Sequence, residues 1–342
     1  MKHGITCPQC GAPLQPHRFA KSIVCSHCGT TVQLDESAVS ARKFHQSYQI
    51  WNSPDSYPVS SLVSIGDRHW DVQKLIAHGE FSDVYRAKRA RWPTELVVLK
   101  ILREVHNENL FENEWAVLES LHQSDAPGAE TFKILLPQNI MRGTITAGSY
   151  TGKRASIFRW AGGFRHTFDD VHRAFPGGIP PQASIWIWRR ILETLSFVHG
   201  SGFIHGAVLP PHLLIQDNEH GVRIVGYAHA GQKDEKLRPI SSGFESFYPE
   251  STQGTLTLTT QLDLLMSARC ITTLLGGDPL TASLPGSLPP QLATIIQRIA
   301  LSNPRQTPKQ DAWSIREELG TIAKEVFGPP QFIPIVMPSE IT

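Results

Sequence analysis

Four of the chain's five cysteines fall within its first 28 residues, as two pairs of the same spacing: Cys7-Pro8-Gln9-Cys10 and Cys25-Ser26-His27-Cys28. Fourteen residues separate the pairs, and a glycine, Gly11 or Gly29, follows each. Two intervening residues let both thiolates reach one ion from a tight turn, and the glycine lets the backbone reverse. Two such turns supply the four soft ligands of a tetrahedral zinc ion. Four thiolates leave no open position for water, so the expected metal is structural. Two disulfides would instead need an oxidising compartment, and a redox CxxC comes singly beside a βαβ pattern. A module this small has almost no core, so metal binding would supply its folding energy.

The paired CxxC turns resemble those of the zinc-ribbon family, over residues 1–34. Short strands are expected at 22–24 and 31–34. The segment carries Lys2, Arg18 and Lys21 and no acid. That charge permits contact with nucleic acid, but a protein contact or a spacer role is the stronger reading.

The 342 residues suit one large domain with a small appendage. A hydrophobic content of 40% against 18% charged allows a sizeable core and excludes a largely disordered chain. Lys+Arg number 32 and Asp+Glu 31, a net charge of +1, which argues against a nucleic-acid coat. No apolar stretch of signal-peptide or membrane-span length is found; the most apolar helical run, 185–198, is interrupted by Arg189, Arg190 and Glu193. A cytoplasmic protein with no membrane partner is expected. Residues 35–68 read as a polar linker, with a turn cluster at 52–56.

From residue 69 the pattern turns β-rich. Residues 70–76, 83–87 and 96–102 read as strands, the first two joined by a small-residue turn containing Gly79. The third carries Lys100 among apolar residues. A helix follows with Phe111, Trp115, Leu118 and Leu121 on one stripe and Glu114 at its border. Residues 182–199 form a helix with Ile185, Trp188, Leu192 and Leu195 on one face. Then come Phe203-Ile204-His205-Gly206-Ala207-Val208-Leu209-Pro210-Pro211-His212, a strand leading to Gly226-Tyr227-Ala228, and Tyr248-Pro249-Glu250. Helices at 263–275 and 309–325 close the pattern.

This order resembles the protein kinase superfamily over residues 69–326. The resemblance implies an α+β, bilobal fold with a β-rich N-lobe and a helical C-lobe, preceded by the small four-cysteine zinc ribbon. Residues 327–342 remain as a proline-rich tail with Pro329, Pro330, Pro334 and Pro338, free to dock on the domain or on a partner.

In the family a lysine holds the nucleotide phosphates and pairs with a helix glutamate, two acceptors hold Mg²⁺, and an aspartate takes the hydroxyl proton. Lys100 and Glu114 match the first pair, which either faces a nucleotide or merely ties helix to sheet. Of three loop glycines only Gly79 remains, with Ala77 and Ser82 at the other positions; a lone glycine also serves as a plain turn. Val98 replaces the alanine that lies against adenine. His205 matches the catalytic loop, but Gly206 stands for its arginine, Ala207 for its aspartate, His212 for its asparagine, and Gly226 for the aspartate after the strand. The resemblance therefore implies a pseudokinase with no catalytic residue. It leaves Gly79, Lys100 and Glu114 for ATP and supplies no Mg²⁺ site. Leu118, Tyr227 and His205 would stack, Asp263 would anchor the catalytic loop, and Glu250 would pair with Arg305. Arg86, Lys88, Arg89 and Arg91 read as a solvated hairpin edge.

The expected function is a non-catalytic scaffold or regulatory protein with a protein partner. The alternatives are a divergent ATP-dependent Ser/Thr kinase with an altered metal site, and a zinc-ribbon regulator that binds nucleic acid.

Overall fold

The computed structural model describes residues 5–7, 10, 12–15, 22–26, 28, 31–33, 61–91, 95–216, 221–238, 240–250, 256–304, 310–331 and 333–338. The chain divides into two compact units, one of residues 1–59 with 90–94 and one of residues 60–89 with 95–342.

In the first unit, strands β1 (Ile5–Thr6) and β2 (Pro13–Leu14) pair antiparallel, as do β3 (Ser22–Val24) and β4 (Thr31–Gln33). Each hairpin turns through one cysteine pair. Cys7, Leu14, Cys25 and Val32 form a miniature core. So small a core cannot offset the chain entropy of ordering two hairpins, which leaves that task to the thiol cluster.

The second unit is mixed α+β. Strands β5 (Leu62–Ile65), β6 (Arg68–His78), β7 (Ser82–Arg89), β8 (Leu96–Leu102), β9 (Asn139–Ala147) and β10 (Arg154–Arg159) form a closed six-stranded barrel in the order β10-β8-β7-β6-β5-β9. Alternate residues point inward. Val63, Ile65, Trp70, Ala87, Val97, Leu99, Ile101, Ile145, Ala155 and Ile157 make one buried cluster. Two features differ from the sequence reading. Strand β5 lies within residues read as linker and closes the barrel by pairing Ser64 with Ala147 and Ile65 with Ile145. Of the four cations read as a solvated hairpin edge, Arg86 and Arg91 are exposed, but β7 is flanked on both sides by β6 and β8 and Lys88 is buried.

Helix α1 (Glu108–Gln123) follows β8, and the short α2 (Ala129–Phe132) precedes β9. The buried stripe of α1, with Phe111, Glu114, Val117, Leu118 and Leu121, follows the expected period and takes Glu114 inside it. After the barrel come β11 (His166–Thr167), α3 (Phe168–Ala174), α4 (Pro181–Gly200) and β12 (Phe203–Ile204). Thr167 caps α3: its hydroxyl accepts from the Asp170 N–H while the Asp170 carboxylate accepts from the Thr167 N–H. Strands β13 (Leu213–Gln216) and β14 (Gly221–Ile224) form a hairpin with β11 beside it, and β15 (Gly231–Gln232) pairs with β12. Helices α5 (Thr260–Leu274), α6 (Pro290–Ala300) and α7 (Ala312–Phe327) complete the unit.

The main core is built on α4 and α5, which are buried along most of their length. Trp188 donates to the Ser267 hydroxyl at 3.1 Å across their contact, satisfying the indole inside the core. Cys270 is fully buried in α5. The proline-rich tail returns to the domain: Ile335 is buried in the main core and Met337 packs against it. No helix among the described residues is long and apolar enough to cross a membrane.

Candidate functional site

Cys7, Cys10, Cys25 and Cys28 present four sulfurs within 4.8 Å of one another. Cys7 Sγ lies 3.7 Å from Cys28 Sγ, and Cys10 Sγ lies 3.7 Å from Cys25 Sγ. Zinc–sulfur bonds of ~2.3 Å at tetrahedral angles place sulfurs ~3.8 Å apart, whereas a disulfide needs ~2.05 Å. The spacing fits a shared ion, and the all-sulfur donor set fits zinc. The first cysteine of each pair is buried and the second exposed. The Ala12 N–H favours the Cys10 thiolate, but bonds with the Cys28, Cys25 and Cys7 thiols and loss of solvent push its pKa up to about 12. The Cys10 thiol therefore holds its proton until a cation displaces it.

In the second unit the structure brings two of the three expected nucleotide-site residues together. Lys100, from β8, donates to both carboxylate oxygens of Glu114 at 2.7 Å each. Register puts Lys100 opposite Val84 and Ser156, and its ammonium lies 5.6 Å from the Phe158 ring centroid. Glu114 is almost fully buried, so losing its partner would strand a charge.

The third, Gly79, sits in the β6–β7 turn, where its N–H donates to Ser82 O at 2.9 Å. Arg103 holds this turn, a role the sequence does not announce. Its guanidinium donates to the carbonyls of Gly79, at 2.5 Å, and Glu80, and to Asp83 Oδ1 at 3.2 Å. Next to the turn, Phe81 is buried against Leu102, Phe111 and Ala228. Glu80 reaches His229 at 3.5 Å, and chiefly that hydrogen bond lowers the Glu80 pKa. The hairpin tip is thus fastened down onto α1 and the segment after β14.

The loop around Ala207 is held through its backbone. The Ala207 N–H donates to His205 Nδ1 at 3.2 Å, and its carbonyl accepts from His212 Nδ1 at 2.8 Å. His205 Nε2 in turn donates to Val225 O at 3.1 Å, so both rings are assigned as neutral tautomers. Gly226 adopts φ +80°, and a Cβ built there would stand 2.6 Å from His212 Cδ2. The His212 ring fills the space a side chain at 226 would need. Likewise a Cβ on Gly206, at φ +72°, would meet Leu258 at 2.7 Å. These glycines are therefore geometric requirements, since other residues resist positive φ. Replacing Gly226 with alanine is expected to cost about 2–4 kcal/mol through strain and overlap. About 1–2 kcal/mol of that should return in a His212→Ala background, as a denaturation double-mutant cycle would read.

Below the loop, Asp263 of α5 accepts three hydrogen bonds of 2.8 Å. They come from the His205 N–H and His199 Nε2 to one oxygen and from the Gly206 N–H to the other. His205 meets the Tyr227 ring edge-on at 4.5 Å, and Leu118 belongs to the same buried cluster. The Tyr227 hydroxyl is buried without a hydrogen-bond partner among the described residues. Arg305, the expected partner of Glu250, lies outside the described residues. Arg269 of α5 holds this segment, donating to Ser246 O at 2.8 Å and Tyr248 O at 2.6 Å.

Burial lowers the His205 pKa from 6.5 to about 4, against the opposing charge of Asp263. Burial also lowers that of His212 to about 3; its bond to Ala207 opposes, and the His205 and Lys100 charges add to the fall. Such an imidazole accepts a proton poorly at neutral pH. Between pH 6.5 and 4 the unfolded chain binds protons that the folded chain refuses. Stability is therefore full above pH 6.5 and falls as pH drops, with a slope approaching about two protons. Urea midpoints across this range check the sign.

No protein-family model matches the chain. The Serine/threonine-protein kinase D of Synechocystis sp. (strain ATCC 27184 / PCC 6803 / Kazusa) is 25% identical to it over 175 residues, 46% of this chain and 29% of that protein. The similarity is distant, and the chain spans less than a third of that relative's length.

Proposed function

We propose that the second unit is a protein-kinase-like domain that has given up phosphoryl transfer and serves as a scaffold or regulatory module, with the four-cysteine ribbon as a structural zinc site. The order of elements and the similarity to a kinase over 46% of the chain support the kinase likeness. In this reading the barrel with α1 corresponds to the N-lobe and the α4–α7 region to the C-lobe. One observation carries the loss of chemistry: the His212 ring lies where the side chain of residue 226 would have to stand. In the same loop Ala207 offers only backbone, already held by two histidines. The residues present do not fit a Mg²⁺–nucleotide poised for transfer, because Mg²⁺ takes oxygen ligands and this loop presents an imidazole. Phe81 and the Arg103-held turn support the same reading by fastening down the hairpin that would cover phosphates.

A second reading, a divergent kinase, draws on the two-pronged Lys100–Glu114 pair. Radiolabelled ATP with generic substrates and several divalent metals separates the two. The proposed function expects no transfer to substrate or to the chain itself. Robust transfer that disappears in Lys100→Ala would refute it. A thermal shift with ATP but no turnover would make the module a nucleotide-gated one.

A further inference from the structure

A groove of about 190 Å³ lies between α4 and α7, walled by Trp186, Arg189, Ala323, Lys324, Phe327 and Pro330. We infer that it is a docking site for an acidic segment of a partner protein, which inserts one apolar side chain and offers a carboxylate to Arg189. The Arg189 guanidinium is 5.8 Å from the Trp186 ring centroid. It also crosses the bare face of Gly320, where an added Cβ would stand 3.8 Å from Cζ. Its Nε is buried and meets no acceptor among the described residues. The neighbouring acids are already engaged: Glu193 by Arg190 at 2.8 Å and Arg316 at 3.0 Å, and Glu317 by Arg316. A half-buried guanidinium whose Nε has no acceptor among the described residues favours a carboxylate, which its planar fork matches.

Charge and size narrow the occupant. The wall carries Arg189 and Lys324 and no carboxylate among the described residues. Drug-sized ligands fill ~300–1,000 Å³, whereas benzene fits a cavity of ~150 Å³, so this groove suits a single aromatic or branched side chain. Tryptophan and arginine are also the residues that dominate binding energy at protein interfaces. The inference names a partner chemistry for the proposed module but does not depend on the loss of catalysis. A chain that transferred phosphate and still bound acidic peptide would overturn the proposed function and leave the groove standing.

The test uses the full chain and a fluorescein-labelled hexapeptide with leucine and phenylalanine at its centre and two acidic residues on each side. Fluorescence anisotropy should show saturable binding, weakened about 10- to 100-fold by Arg189→Leu and about 3- to 10-fold by Lys324→Glu. A peptide with amides in place of its acids should bind as weakly as Arg189→Leu binds the acidic one. Lys324 is exposed, so its variant keeps the test valid if Arg189→Leu fails to fold. No saturable binding, equal affinity for the neutral peptide, or full affinity in both variants would overturn the inference. Sedimentation with phosphatidylserine vesicles that is lost in both variants, without peptide binding, would overturn it in favour of a membrane surface.

Discussion

A chain carrying Cys25→Ser is expected to lose its bound zinc and the fold of residues 5–33, while residues 61–338 keep their structure. Structural zinc contributes about 10–16 kcal/mol of apparent folding free energy in modules of this size, far more than the small core formed among the described residues by Cys7, Leu14, Cys25 and Val32 can supply. Cys25 belongs to both the sulfur cluster and that core, so serine removes a soft ligand and a buried contact together. Elemental analysis should read one zinc per chain in the parent and close to none in the variant. Amide exchange should lose protection in both hairpins, including the Cys7 N–H that donates to Ala12 O at 2.8 Å. Retained zinc at full stoichiometry, or retained protection without it, would sink the assignment. Because the Cys10 thiol holds its proton in the metal-free cluster, uptake should also release protons and weaken as pH falls.

Asp263→Ala is expected to be the most damaging single substitution in the second unit, at about 3–5 kcal/mol. The carboxylate is fully buried and satisfies two backbone N–H groups as well as His199. Alanine leaves those donors without acceptors in a low-dielectric core, which costs more than the net worth of the bonds. Asp263→Asn keeps one acceptor oxygen and should fall between parent and alanine. Urea denaturation of the three chains measures the series. A loss below about 1 kcal/mol for alanine would mean that the loop rearranges to satisfy itself.

Much of this was legible in the sequence, for reasons that differ by residue. Spacing alone placed the four thiols together, because two-residue gaps confine each pair to one turn. Period-two and period-3.6 patterns put Lys100 on a strand and Glu114 at the border of the helix stripe, and the structure takes Glu114 inside it. Ala207, His212 and Gly226 were readable only as departures from the family pattern the sequence resembles. What could not be read was that Gly226 and His212 fit one another. The positive φ of Gly226 and the His212 ring above it are joined only in three dimensions. Arg103 follows an apolar strand with no motif to mark it, yet it holds the hairpin turn 24 residues earlier. Arg269, too, went unmarked in the sequence, although this buried helix arginine reaches three carbonyls at once, those of Ser246, Tyr248 and Ala300. The strand at Leu62–Ile65 escaped notice because four residues carry little period and one of its two partners, β9, lies some eighty residues away.

That distant pairing also bears on the order in which the chain folds. The β6–β7 and β7–β8 ladders join sequence neighbours, so each closes a short loop and can form early. The seam between β5 and β9 must wait until Ile65 and Ile145 meet across the intervening strands and α1. Contacts made last are absent from the transition state, so trimming Ile65 to valine should quicken unfolding and leave the refolding rate nearly unchanged. Stopped-flow chevrons of the two chains would show the shift confined to the unfolding limb, which makes this seam the element that sets how long the barrel stays shut.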